Sequence, residues 1–106
     1  MQRDIATLLS ELEAGLKEMY TRRLKGVFLY GSHARGDADP ESDADVLIVL
    51  DRIDGYGAEV ERTGPIISEL SLKYGVSVSR TFVSEREWLR GESPFLTNVR
   101  EEAIPA

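Results

Sequence analysis

The chain contains no cysteine. That absence excludes a disulfide framework, a thiolate metal site and a cysteine nucleophile. It fits a reducing compartment, and a cytoplasmic location is expected. There is a single histidine, His33. With no second histidine and no cysteine to share a metal, His33 reads as a spacer. No apolar run approaches the roughly 20 residues of a membrane span. Met1-Gln2-Arg3-Asp4 leads into a patterned helix and has no signal-peptide character. Positive charge is in deficit: 13 Lys and Arg stand against 19 Asp and Glu, a formal net charge of −6. Such a balance argues against broad binding to a nucleic-acid backbone and suits a basic protein partner.

What is present is enough for one small globular domain over residues 1–106, at 42% hydrophobic and 30% charged residues. Ile5, Leu8, Leu9, Leu12, Leu16, Met19 and Tyr20 recur at helical spacing and predict a helix over residues 4 to 23. Arg22, Arg23 and Lys25 complement its dipole, and Gly26 is expected to close it. Val27 to Tyr30 is a short apolar strand, followed by a Gly31-Ser32 turn into a short helix. Residues 36 to 42 form a polar loop, and residues 43 to 50 a second strand.

Val60, Gly64, Ile67, Leu70, Ser71 and Tyr74 predict another helix, with Pro65 as a point of kink or restart. Val76, Val78 and Thr81-Phe82-Val83 make a third strand. Ser84 to Glu87 is a capping box, and Ser93-Pro94 an N-cap with proline at the first helical position. Three strands separated by helices imply an α/β domain, a small mixed sheet with helices packed against it.

The chemistry concentrates in Gly31-Ser32-His33-Ala34-Arg35-Gly36 and Asp43-Ala44-Asp45. A glycine turn lets a phosphate approach backbone N–H groups, and Ser32 adds a hydroxyl. Asp43 and Asp45 are two positions apart in a strand and share one face. Adjacent carboxylates repel unless a cation separates them, and magnesium suits oxygen ligands. The combination points to a nucleoside triphosphate with magnesium. Arg35 is open between a phosphate contact and a salt bridge with Asp37 or Asp39. Arg80, Arg86 and Arg90 are expected to face solvent, the alternative being contact with triphosphate oxygens or an acidic partner. Trp88 and Phe95 are expected to serve as core or cover residues, or, if exposed together, as a partner surface.

Gly-Ser-x-Ala-Arg-Gly, a short loop, then Ser-Asp-x-Asp before an apolar run resembles the DNA polymerase beta nucleotidyltransferase superfamily. More narrowly, the short chain resembles the minimal nucleotidyltransferase proteins, many of them antitoxins of HEPN-domain ribonuclease toxins. The resemblance implies that Gly31, Ser32 and Arg35 bind the nucleotide. It implies that Asp43 and Asp45 are the catalytic, magnesium-binding carboxylates, with ATP as substrate. It further implies a HEPN toxin as partner, neutralised by AMP transfer to a toxin hydroxyl. A second copy of the chain is left open as a partner.

One departure bears on mechanism. Active members of the superfamily usually carry a third carboxylate on the next strand. Residues 76 to 83 contain no Asp or Glu, and Ser79, or else Ser77, occupies the expected place. Glu85 and Glu87 lie just beyond, but the capping box accounts for Glu87. The alternatives are a non-catalytic binding antitoxin and a small-molecule nucleotidyltransferase of the antibiotic-modifying kind.

Overall fold

A computed structural model describes residues 3–39 and 41–106. Met1 and Gln2 of the N-terminal lead-in, and Pro40 of the polar loop, lie outside the described residues. Helix α1 (Arg3–Tyr20) buries Ile5, Leu8, Leu9, Leu12, Leu16 and Tyr20. Met19, assigned to the same stripe by spacing, is 38% exposed at its margin. The helix stops short of residue 23. Thr21 takes a positive φ of 52°, and a 3-10 turn (Thr21–Arg23) follows.

Strand β1 (Leu24–Tyr30) begins earlier than the apolar run, and Gly26 lies inside it instead of closing the helix. The cause is pairing. β1 runs antiparallel to β2 (Ala44–Leu50) from Leu24 opposite Leu50 to Tyr30 opposite Asp45, with a register shift between Leu24 and Gly26. The Asp51 N–H extends the contact by donating to the Arg23 carbonyl at 2.8 Å. Between the two strands sits α2 (Ser32–Arg35), a single turn.

Helix α3 (Tyr56–Tyr74) passes through Pro65 without the expected restart. Proline donates no N–H to the carbonyl of residue 61, and the turn ahead of it is braced by side chains. The Thr63 hydroxyl donates to the Glu59 carbonyl at 2.9 Å, and Arg80 Nη2 to the Val60 carbonyl at 2.7 Å. Arg80 Nε donates to Thr63 Oγ1 at 2.8 Å. Arg80 is therefore a half-buried brace between strand and helix, not a freely solvated side chain. Tyr20 ties α1 to α3 by donating to the buried Glu59 carboxylate at 2.8 Å.

Strand β3 (Val78–Ser84) starts two residues later than expected and runs parallel to β2. Helix α4 (Glu85–Arg90) opens with the Ser84–Glu87 capping box. Helix α5 (Pro94–Glu102) opens on Ser93, whose hydroxyl accepts from the Leu96 N–H at 3.1 Å. The chain then adds a fourth strand, β4 (Ile104–Pro105), antiparallel to β1. The three-strand reading is corrected by this element, which is too short to show any periodicity and contains proline.

The sheet order is β3-β2-β1-β4. Residues 46 to 50 of the central β2 are buried on both faces. One face packs against α1 and α3 through Val46, Ile48 and Leu50. The other packs Leu47 and Val49 against Leu96 and Val99 of α5, with Trp88 stacked on Phe28 at 4.7 Å between ring centroids. Trp88 is thus a cover residue, while Phe95 is 44% exposed and meets Tyr30 edge-on. Among the described residues no helix is long and apolar enough to cross a membrane.

Candidate active site

The turn after β1 is shaped by Gly31, at φ 77° and ψ −157°. A side chain is strained in that region, and glycine is not. The Gly31 carbonyl accepts from the Arg35 N–H at 3.0 Å, which closes α2, and Gly36 ends it at φ 82°. Ser32 is half-buried at the head of α2.

Asp43 and Asp45 flank Ala44, which is fully buried in the core with α1 and α3. Alternation along the strand therefore sends both aspartates to the opposite face. Asp45 is half-buried between Tyr30 on β1 and Ser79 on β3, its register partners. Its Oδ2 lies so close to the Gly31 backbone that a β-carbon there would stand 2.3 Å away. Burial first, and the neighbouring Asp43 charge second, push the Asp45 carboxyl above its ordinary value; His33 and Arg35 oppose the shift.

His33 is more than a spacer. It is buried, and Nε2 lies 2.9 Å from the Ser42 carbonyl. A carbonyl only accepts, so Nε2 carries the proton. That bond ties α2 to the end of the loop that leads into Asp43. Within the loop, Asp39 Oδ1 accepts from the Glu41 N–H at 2.9 Å and the Ser42 hydroxyl at 3.2 Å.

Arg35 Nε donates to Asp37 Oδ2 at 3.2 Å, which decides between Asp37 and Asp39 as the acidic neighbour. Its Nη1 donates to Glu102 Oε2 at 3.1 Å. The other oxygen of Glu102 accepts from the Gly31 N–H at 2.9 Å. These two donors hold the Glu102 carboxyl below the usual range, the Gly31 bond contributing most. Glu102 is not legible as a site residue in the sequence because it ends α5, 67 and 71 positions from its partners Arg35 and Gly31 and beyond the strand on which a third acid is expected. The only sequence signal is an acidic pair, Glu101-Glu102, at the end of the last helix.

Ser79 is exposed and is the Cα partner of Asp45. Glu87 is committed to its capping box. Among the described residues no group of three or more histidine, aspartate or glutamate side chains converges as a metal cage. Two adjacent carboxylates with hard oxygen donors do fit magnesium, which commonly takes one or two carboxylates and completes its shell with water and substrate phosphates. A separate cleft of ≈ 320 Å³ between α4 and α5, lined by Arg86, Arg90 and Leu96 among others, shares no residue with this site.

A model of the nucleotidyltransferase domain family matches residues 9–103. The chain is 38% identical over 77 residues to a Methanocaldococcus jannaschii protein, MJ0604, that carries the provisional name protein adenylyltransferase. That match covers 73% of this chain and 71% of the relative. A solved structure described provisionally as a minimal nucleotidyltransferase is 30% identical, with a TM-score of 0.59 over 99% of this chain and 98% of the other. A toxin–antitoxin crystal structure with AMP-PNP shares the fold at 18% identity and a TM-score of 0.58, over 90% of this chain and 69% of that one.

Proposed function

This chain belongs to the nucleotidyltransferase domain family, and we propose that it binds ATP with magnesium and serves as the antitoxin of a HEPN-domain ribonuclease toxin, transferring AMP to a toxin hydroxyl. The observation that carries this reading is the seating of Asp45 against Gly31. A carboxylate pair and a glycine turn stand side by side, where a metal and a triphosphate would meet. The relative provisionally named as a protein adenylyltransferase supports a protein acceptor. The toxin–antitoxin neighbour with AMP-PNP supports a toxin partner and an adenine nucleotide.

In this mechanism Ser32 and the turn at Gly31 hold the triphosphate, and Asp43 and Asp45 hold the metal. Magnesium, when bound, neutralises charge on the phosphate oxygens. The toxin hydroxyl oxygen bonds to the α-phosphorus, the bond from that phosphorus to the bridging oxygen breaks, and pyrophosphate leaves. Ser79, beside Asp45, is a weak ligand and a poor base, so the hydroxyl proton passes to a group of the toxin.

The test incubates the protein, a HEPN-domain partner and α-labelled ATP with magnesium. Label on the partner, lost in Asp43→Asn/Asp45→Asn, supports transfer. A stable, unlabelled complex instead favours the second reading, a binding antitoxin without catalysis, which Ser79 motivates.

A further inference from the structure

We propose that Glu102 is a positioning residue of the nucleotide site, holding the glycine turn in shape through the Gly31 N–H and Arg35. The proposal rests on the reading of that turn as the triphosphate-holding element. Glu102 bridges two groups 67 and 71 residues away in sequence, with one carboxylate oxygen on each. Both ends of the Gly31 residue are thereby fixed. Its N–H goes to Glu102 and its carbonyl takes the Arg35 N–H.

Arg35 is held in turn by Asp37 and Glu102. Its charge is shared between two carboxylates, so through Glu102 it braces the turn. Gly31 contributes the absence of a side chain beside Asp45, since its N–H is already engaged.

Glu102 itself is delivered by packed structure. Leu96 and Val99 bury α5 in the core. Immediately after Glu102 the chain joins the sheet, with Ile104 opposite Leu29, Pro105 opposite Phe28, and the Ala106 N–H donating to the Val27 carbonyl at 2.9 Å. The carboxylate is therefore preorganised, and the turn inherits its rigidity from α5 and β4. A charge-assisted bond of this kind is worth enough to set the turn's geometry.

Magnesium-dependent binding of AMP-PNP is measured by calorimetry for wild type, Glu102→Gln and Glu102→Ala, each checked for folding by circular dichroism. Glu102→Ala is expected to weaken binding about tenfold or more. Glu102→Gln, which keeps an acceptor for the Gly31 N–H, restores part of the loss. In the Glu102→Ala background a further Arg35→Ala change adds little, because the two act as one unit. Wild-type affinity in both folded variants overturns the proposal by making Glu102 merely structural. Tighter binding in Glu102→Ala also overturns it, by making the carboxylate a competitor for the phosphate. A wild-type protein that binds no AMP-PNP removes the proposed function first and this proposal with it. That outcome is distinct from a wild type that binds and variants that match it.

Discussion

Asp45 and Gly31 are built against each other: a β-carbon on Gly31 would stand 2.3 Å from Asp45 Oδ2. Gly31→Ala therefore carries two penalties. The backbone at φ 77° costs about 1–3 kcal/mol for a residue with a side chain. The Asp45 carboxylate must also move. The variant should melt at a lower temperature and bind magnesium AMP-PNP about tenfold weaker or worse, since a tenfold loss needs only about 1.4 kcal/mol. Thermal unfolding followed by circular dichroism and calorimetric titration check both.

Ser79→Asp places a carboxylate beside Asp45 at an exposed position of β3. If hydroxyl activation limits transfer, the variant should transfer AMP faster, by about tenfold or more, because a further metal ligand supports the attacking group. Initial rates of label transfer measure it. Ser79→Ala should change them little.

Asp45 gives a pH dependence whose sign follows from its raised pKa. Magnesium takes the carboxylate and not the acid. Affinity should therefore rise with pH from the ordinary value of 3.8 upward, by at most about tenfold per unit, and level off once the raised value is passed. Folding shows the opposite sign. The free protein holds its proton more tightly than the unfolded chain, so this group's contribution to stability declines over the same interval. Asp45→Asn should flatten both trends, as read from magnesium titrations and urea midpoints across that range.

Arg80→Leu removes the donors to Thr63 and the Val60 carbonyl ahead of Pro65. The expected loss is about 1–3 kcal/mol, from the two part-buried, charge-assisted hydrogen bonds between β3 and α3 that disappear, the Val60 carbonyl keeping the Thr63 hydroxyl as a donor. Urea unfolding should show a lower midpoint with the slope unchanged.

How much of this was legible in the chain depends on whether the determinants are local. Gly31-Ser32 and Asp43-x-Asp45 could be read because a turn and a strand period fix their geometry within a few residues. The caps at Ser84 and Ser93 were legible for the same reason. The early start of β1 was not, since Leu24 becomes a strand residue through its partner Leu50. Arg80 looked like a surface residue because its acceptors lie 17 and 20 positions away. Glu102 depended on β4, whose two residues carry no pattern and are ordered by the edge of β1.

Calorimetric titration of AMP-PNP with magnesium, into wild type and into Asp43→Asn/Asp45→Asn, tests the central claim most directly. The account predicts saturable, magnesium-dependent binding by the wild type that is lost in the double variant while both remain folded. Equal binding by the two proteins, or none by the wild type, would contradict it.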